Sequence, residues 1–220
     1  MFRTLVNREE FLLTYCRSKN ILHLGCCDSP FCHEKFANGN LFHIKLLTVA
    51  RKVVGIDLDE AAINFLKQSG INNLIVCNVE KLKKNIFNEK FNIILAGEIL
   101  EHLSNPGLFM NGLTKIVDSK TEIIITVPNT PTIKNFLRSL LKKEIVHKDH
   151  VCYYSINTLS CLLNRYNIFI SDCYYYCAPP VLKSGLVMRI LNKMAEYICR
   201  LVPNLGDGII VICRMNNRKS

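Results

Sequence analysis

The sequence contains no apolar run long enough to cross a bilayer, so we expect no transmembrane segment. Its N-terminal segment also lacks the uninterrupted apolar stretch of a secretory signal peptide, because Arg3, Arg8, Glu9 and Glu10 break it up. Both observations favour a protein of the cytoplasm over a secreted or membrane-embedded one.

Repeated Cys-x₂-Cys spacing, the signature of a structural zinc site, is missing as well. The eleven cysteines are scattered, and the close pairs Cys26/Cys27 and Cys173/Cys177 do not supply that spacing. Scattered cysteines of this kind are usually small core residues in a reducing compartment. We therefore predict that they pack in the core rather than bind zinc.

Negative charge is in short supply, with 18 acidic residues against 28 basic ones, for a formal net charge of +10. Such a balance admits nucleic acid, an anionic membrane surface or an acidic substrate as partner. The basic residues are dispersed, however, with short concentrations only at 81–84 and 142–143. A solvated basic surface is thus the favoured interpretation, ahead of nucleic-acid binding.

Short apolar runs alternate with helical patterns along the chain, which predicts βαβ units and a parallel sheet with right-handed crossovers. The predicted strands are 21–24, 52–57, 73–78, 91–96, 121–127, 167–177 and 208–213. The predicted helices are 30–50 (broken at 38–40), 59–68, 105–117, 155–165 and 184–202. Because the last two strands are joined through a helical excursion, they predict an antiparallel edge on an otherwise parallel α/β sheet.

The stretch 20–30 has the pattern of a strand, a tight turn and a helix start. Its apolar run breaks at Gly25, and Ser29 is placed to cap a helix whose first residue is Pro30. Backbone donors then point into a crevice at the carboxyl end of a parallel strand. We predict a ligand site there.

A glycine-rich dinucleotide fingerprint is absent from this stretch, since Gly25 is the only glycine between positions 20 and 38. A pyrophosphate needs close backbone approach at several points, so a plain NAD site is excluded. Asp57, at the end of the second strand, suits the two hydroxyls of a ribose. A nucleoside without phosphates, such as S-adenosylmethionine, fits this combination.

Five segments in this order resemble motifs of the class I S-adenosylmethionine-dependent methyltransferases, especially the branch of ubiquinone-biosynthesis O-methyltransferases and many small-molecule or glycan methyltransferases. They are ILHLGC (21–26), VVGID (53–57), VCNVE (76–80), FNIILAGEILEHL (91–103) and IIITVPN (123–129). The resemblance implies a single Rossmann-like domain over 1–220, with a seven-stranded, mostly parallel sheet, an antiparallel last strand and helices on both faces. Residues 1–19 would be a helical lead-in and 178–205 a helical insertion.

The resemblance also implies an enzyme that uses S-adenosylmethionine as its cofactor. The cofactor-binding residues that it implies are His23, Gly25, Cys26, Asp57, Leu58, Asn78, Val79, Ala96 and Glu98. Four positions depart from the family pattern. His23 stands where the family usually has an acidic residue, Cys27 and Ser29 stand where it has glycines, and Asn78 stands for an aspartate. His23 is either a ligand contact or a core histidine, and a non-catalytic binding protein with a degenerate cofactor site stays an alternative.

Glu98, Glu101 and His102 fall at i, i+3 and i+4, which would place them on one face of a helical turn just beyond the fourth strand. His102 is the candidate general base because the pKa of an imidazole lies near working pH. Glu98 and His150 complete the predicted catalytic set, and His147 and His150 are expected to line the acceptor pocket.

Small-RNA 2′-O-methyltransferases and some ubiquinone-pathway enzymes look similar here and hold a divalent cation with such a Glu-x-x-Glu-His set and a further ligand. The same string is widespread in relatives without a metal, so we predict no metal ligand and keep a divalent cation, with His147 or His150 as the further ligand, as the disfavoured alternative.

Two sequence motifs that are absent narrow the range of methyl acceptors. No Asn/Asp-Pro-Pro-Tyr/Phe string follows the fourth strand, and no Pro-Cys pair is present, which argues against methylation of DNA bases. We expect O-methylation of a small-molecule, lipid-precursor or saccharide hydroxyl, with RNA 2′-O-methylation as the alternative. The amphipathic stretch 184–202 fits a lid or core helix best, and also a dimer contact or a peripheral contact with an anionic membrane. The sequence does not specify the oligomeric state.

Overall fold

The computed structural model describes residues 4–140, 142, 144, 146–178 and 186–216, with the side chains of residue 137 and residues 186–192 outside the description. The strands are β1 Thr4–Leu5, β2 Asn20–Leu24, β3 Lys52–Asp57, β4 Leu74–Val76, β5 Ile93–Gly97, β6 Glu122–Pro128, β7 Ile168–Tyr176 and β8 Gly208–Met215. The helices are α1 Arg8–Cys16, α2 Cys32–Ala37, α3 Phe42–Val49, α4 Glu60–Gln68, α5 Pro106–Ile116, α6 Ile133–Leu140, α7 Ile156–Asn164 and α8 Leu186–Leu201.

The strands form one sheet in the order β1-β7-β8-β6-β5-β2-β3-β4. All neighbours pair in parallel except β8, which runs antiparallel to both β6 and β7. The predicted α/β fold, with a mostly parallel sheet and an antiparallel last strand, is confirmed. The antiparallel strand lies inside the sheet, however, because β7 and then β1 continue the sheet beyond it.

Strand β1 is an eighth strand that the sequence did not predict. Thr4 lies opposite Tyr174 and Leu5 opposite Tyr175 of β7, in parallel register. The predicted lead-in over 1–19 is therefore a short strand followed by α1 in its described part. A two-residue strand carries no alternation of polar and apolar residues, so its sequence gave no indication of it.

The central strands are buried on both faces, which explains why they appear as continuous apolar runs. In β2, Leu22 packs into one hydrophobic cluster with residues of α5 and α7, and its neighbour Ile21 packs into another with α1 and α3. Helices therefore cover both faces, as predicted. Seven of the eleven cysteines are buried, as expected of core residues: Cys16, Cys26, Cys27, Cys32, Cys173, Cys199 and Cys213.

Helix boundaries follow local signals, with one correction. Asp59 caps α4 by accepting a hydrogen bond from the Ala62 amide, and the predicted break at 38–40 separates α2 from α3. The predicted cap at Ser29 is wrong: the helix begins at Cys32, and the Ser29 hydroxyl instead donates to Asp59 Oδ2 at 2.6 Å. Helix α6 was not predicted.

No helix among the described residues is both long and apolar enough to cross a membrane. The described part of the predicted insertion 178–205 contains α8 and the 3₁₀ turn Pro203–Leu205. Residues 179–185, with the start of the predicted helix 184–202, lie outside the described residues.

Candidate active site

A cavity of about 610 Å³ opens at the carboxyl ends of β2, β3 and β5, where Gly25, Asp57 and Gly97 lie. Strand β2 pairs with β3 on one side and with β5 on the other, so the direction of the strand order reverses here. Open α/β sheets bind ligands at this switch point, and the volume is that of a small-molecule site.

Gly25 forms the floor of the cavity in a conformation that suits glycine. Its φ is +68°, and its amide donates to the carbonyl oxygen of Ile56 at 2.8 Å. A Cβ at this position would lie 3.0 Å from Cδ1 of Ile99 and would project from a left-handed backbone. The turn therefore depends on a glycine. The prediction that its backbone donors point into the crevice is wrong, because the amides of Gly25 and Cys26 both donate to the Ile56 carbonyl oxygen and that of Cys27 donates to Asp57.

The carboxylate of Asp57 is fixed by two backbone donors. Oδ2 accepts from the Cys27 amide at 2.8 Å, and Oδ1 accepts from the Asp59 amide at 3.0 Å. Each carboxylate oxygen has a second lone pair, so both can still accept from a hydroxyl. This arrangement suits a ribose diol.

The next wall of the cavity contains Leu58, Asn78 and Val79. Leu58 is exposed, with 67% of its surface accessible at the cavity. Asn78 Oδ1 accepts from the Glu80 amide at 2.8 Å and caps the 3₁₀ turn Val79–Lys81, which fixes its side chain. An apolar side chain beside an oriented amide suits a flat heterocycle such as adenine.

His23 is buried and paired with a second histidine. Its Nδ1 lies 3.1 Å from Nδ1 of His43, and the two rings are stacked. Burial lowers the pKa of His43 to about 4 and that of His23 well below its usual value, so both rings are neutral and one Nδ1 donates to the other. His23 thus matches the core-histidine interpretation, although its ring also lines the cavity.

Of the predicted cofactor residues, Ala96 alone does not line the cavity. Ala96 is fully buried in the sheet, and Gly97, one position later, faces the cavity instead. Successive residues of a strand point to opposite faces of the sheet, so of the neighbours Ala96 and Gly97 only one can face a ligand.

Glu98 follows β5 with a φ of +53°, which is rare for a non-glycine residue. Its Oε1 accepts from the Thr126 hydroxyl at 2.9 Å and from the Tyr176 hydroxyl at 2.7 Å. Arg8 in turn donates to the Thr126 hydroxyl through Nε and Nη2. The sequence did not predict this hydrogen-bond network. Its members Thr126, Tyr176 and Arg8 come from β6, β7 and α1, far from Glu98 along the chain.

Glu98, Glu101 and His102 do not share one helical face as predicted. A single 3₁₀ turn, Leu100–His102, forms there, and Glu98 precedes it in a left-handed conformation that ends any helical register. All three side chains nevertheless line the cavity.

Glu101 is the most buried acidic group of the site, with 1% of its surface exposed. Neither carboxylate oxygen has a hydrogen-bond partner within the part of the chain that the structure describes. Burial, reinforced by the charge of Glu98, raises the pKa of this carboxyl to about 8.

Three histidines meet at the rim of the cavity. The ligand nitrogens of His102, His147 and His150 all lie within 4.8 Å of one another. The amides of Val151 and Cys152 donate to the Glu101 carbonyl oxygen, which ties the loop carrying His147 and His150 to the turn carrying His102. Both loop histidines line the cavity, and their role at the acceptor stays a prediction.

The tautomer of His102 follows from its partner. Nδ1 lies 3.1 Å from the carbonyl oxygen of Asp149, which only accepts, so Nδ1 donates and Nε2 of the neutral ring is left as the basic nitrogen. Burial lowers the pKa of His150, and charge on His102 and His147 lowers it further. The lowered pKa favours the unprotonated form of the His150 imidazole.

Two groups of side chains in the described ranges could hold a metal ion, although the sequence predicted no metal ligand. Three imidazole nitrogens suit a borderline cation such as Zn²⁺. The other group is Cys26, Cys27 and Asp57. A hydrogen bond to Cys26, together with burial, raises the pKa of the Cys27 thiol, which opposes the thiolate that metal binding requires.

The family of the chain follows from its match to a known protein family. A family model described as "Methyltransferase domain" matches residues 17–192, which is most of the chain. The chain belongs to this family. Among curated proteins, no relative is detectably similar in sequence to this methyltransferase.

Solved structures of low sequence identity share the fold of the methyltransferase. A SAM-dependent methyltransferase from Archaeoglobus fulgidus has a TM-score of 0.59 at 15% identity, with 94% of this chain and 91% of that chain covered. N-methyltransferase NodS from Bradyrhizobium japonicum, in complex with S-adenosyl-L-homocysteine, has a TM-score of 0.55 at 12% identity, with 96% and 86% covered. The small RNA methyltransferase HEN1 has a TM-score of 0.57 at 15% identity, with all of this chain and 27% of that chain covered.

The methyltransferase is an S-adenosylmethionine-dependent enzyme, and its cavity fits that cofactor. Gly25 lies at the floor of the cavity, Asp57 has a fixed carboxylate for a ribose, and no cluster of glycines is present to approach a phosphate chain. The departures at Cys27 and Ser29 do not close the cavity, because Ser29 turns to Asp59 and Cys27 is buried below the turn.

Proposed function

We propose that the methyltransferase methylates a hydroxyl oxygen of a small-molecule, lipid-precursor or saccharide acceptor. The observation that carries this proposal is the meeting of His102, His147 and His150 at the rim of the cofactor cavity. A hydroxyl is a weak nucleophile that must lose its proton as it is methylated, and an imidazole at this place can take that proton.

The cofactor residues divide by the part of the ligand that they would hold. Asp57 would accept from the ribose hydroxyls, and Leu58, Asn78 and Val79 would hold the adenine. The backbone of Gly25 and Cys26, with His23 and Glu98, would border the methionine end. When bound, S-adenosylmethionine supplies a methyl group that its positive sulfur already makes electrophilic.

The chain then has two tasks, to orient the acceptor in line with that methyl group and to remove its proton. His102 would take the proton at Nε2, since Nδ1 is occupied by the Asp149 carbonyl. His150, kept neutral by burial, would be the second acceptor of that proton. Glu98 accepts hydrogen bonds at Oε1 from two hydroxyl groups and thereby keeps the turn in place. Positioning of the acceptor oxygen against the methyl group is most of what methyl transfer needs from the protein.

His102→Ala should lower turnover by about a hundredfold or more with little change in S-adenosylmethionine affinity, because the lost group acts on the acceptor. The measurement is transfer of labelled methyl groups to a panel of hydroxylated metabolites and glycans, with donor affinity from calorimetry. His33→Ala is the matched control, since His33 is exposed and stacks on Phe65 away from the cluster. An unaltered rate in the His102 variant would remove it as the base.

RNA 2′-O-methylation is the second candidate, favoured by the excess of positive charge and by the convergence of Glu98, Glu101, His102 and His150 on one cavity. Binding to a short RNA that weakens steeply with salt would support it. Loss of turnover in excess chelator would add a divalent cation at the histidines, and retained turnover supports imidazole acting as the base without a metal.

A further inference from the structure

Two helices leave several apolar side chains exposed to solvent. On α8, Met194, Tyr197 and Leu201 are 56%, 64% and 68% exposed, and their i, i+3, i+7 spacing places them on one side of the helix. On α6, Phe136 and Leu140 are 62% and 64% exposed at i, i+4 spacing. Isolated exposed apolar residues are common, but two rows of them are not.

The segment that follows α8 lies against α6. Lys134 of α6 forms an ion pair with Asp207 at 2.6 Å, just beyond the 3₁₀ turn that follows α8. Phe136 and Leu205 of that turn line one hollow of about 840 Å³, together with Tyr153. We call this region the apolar surface; it comprises Phe136, Leu140, Val151, Tyr153, Met194, Tyr197, Leu201 and Val202.

Positive charge borders the apolar surface. Lys193 and Arg200 are exposed beside the α8 row, and Arg138 and Lys142 line the hollow beside α6. Lys148 adds a further exposed cation in the loop between α6 and α7. The acidic residues of these segments are fewer: Glu144, Asp149 and Glu196.

We propose that the apolar surface docks on an anionic lipid membrane, with its apolar side chains in the acyl-chain boundary and its cations at the headgroups. A helix with apolar residues on one side and Lys or Arg at the border is the form in which proteins lie on such membranes. A second copy of the chain is a poorer occupant, because a two-fold contact would bring two basic surfaces together. Five of the eight side chains are Leu, Val or Met, which do not stack on bases, and this disfavours RNA although three aromatic side chains are present.

Docking there would bring the active site to the membrane. Val151 and Tyr153 of the apolar surface directly follow His147 and His150 at the rim of the cofactor cavity. An acceptor anchored in the bilayer would then present its hydroxyl to those histidines. This consequence rests on the proposed O-methylation, whereas the docking itself does not.

The test is flotation of the full-length protein with vesicles of phosphatidylcholine alone and of phosphatidylcholine mixed with phosphatidylglycerol. We expect binding to the anionic vesicles only. Met194→Gln with Leu201→Gln should lower the partition coefficient about tenfold or more, and Lys193→Gln with Arg200→Gln should lower it about tenfold and reduce its salt dependence. Leu108→Gln and Lys120→Gln, which change exposed residues elsewhere, should bind as the unaltered protein does.

Far-UV circular dichroism and cofactor calorimetry on each variant separate lost docking from lost folding. Absence of binding to anionic vesicles would overturn the proposal, as would equal binding to neutral vesicles or binding unaffected by the four substitutions. A dimer in light scattering that the same substitutions dissociate would assign the surface to a second copy instead. None of these readouts measures methyl transfer, so a protein that does not bind vesicles leaves the proposed O-methylation unaffected. Conversely, a protein that binds vesicles but does not methylate hydroxyl acceptors contradicts only the proposed O-methylation.

Discussion

Replacing Glu101 with glutamine should remove a specific pH dependence from the stability of the protein. In the folded chain the pKa of this carboxyl is about 8, against an ordinary value of 4.5. Above pH 4.5 the unfolded chain releases the proton while the folded chain keeps it, so the folded state is favoured less and less as the pH rises towards 8.

The magnitude follows from the size of the shift. Each pH unit within this window costs about 1.4 kcal/mol, so the free energy of unfolding should fall by about 2 to 3 kcal/mol between about pH 5 and pH 7 through this group alone. Glutamine keeps the shape but does not ionise. The glutamine variant should therefore gain about 2 to 3 kcal/mol relative to the unaltered protein over the same interval.

Urea unfolding at a series of pH values measures this difference directly. Contributions of other titrating groups, such as His23 and His43, are the same in both proteins and cancel in the comparison. Glu144→Gln, at an exposed glutamate, is the control and should leave the pH profile unchanged. If the profiles of the Glu101 variant and the unaltered protein run parallel, the carboxyl is not held protonated in the folded state.

Three further predictions concern the cavity and its floor. Asp57→Ala should weaken S-adenosylmethionine binding by about 1–3 kcal/mol through the lost ribose hydrogen bonds, and calorimetry showing unchanged affinity would refute the assignment. Gly25→Ala should destabilise the fold by about 1–2 kcal/mol, because alanine at this left-handed φ meets the Ile99 side chain; equal urea midpoints would contradict the strain argument. The pKa values of His23 and His43 are lowered in the folded state, so the stability that these residues give is present above pH 6.5 and is lost as the pH falls towards 4. Urea unfolding of the Glu101→Gln protein should show this loss of stability in acid. A stability that does not change between pH 6.5 and pH 4 would contradict the buried, neutral histidine pair.

The central sheet was accessible from the sequence because parallel strands buried on both faces must be apolar throughout. The runs around Ile21, Val53 and Ile93 carry that signal, and the turn residues Gly25 and Asp57 stand where those runs end. Strand ends therefore predict where the cavity opens, and the family resemblance implies most of its other residues.

The remaining site residues depended on contacts that sequence spacing does not encode. Tyr176 of β7 donates directly to Glu98, whereas Arg8 of α1 acts through Thr126, which lies 118 residues away along the chain. The burial of Glu101 was missed because the i, i+3, i+4 argument assumed a helix, whereas a single 3₁₀ turn turns its side chain inward. Ser29 was assigned to the wrong partner because Asp59, near in space, competes for its hydroxyl.

Pairing of β1 with β7 links the outer border of the sheet to the reaction centre. The Val6 amide donates to the Tyr175 carbonyl at 2.8 Å, two positions before Arg8 begins α1 and reaches Thr126. The edge strand thereby helps to position Arg8, and through Thr126 the carboxylate of Glu98. Substitutions that break the pairing of β1 with β7 should slow methyl transfer and leave the part of the cavity around Asp57 and Asn78 unchanged.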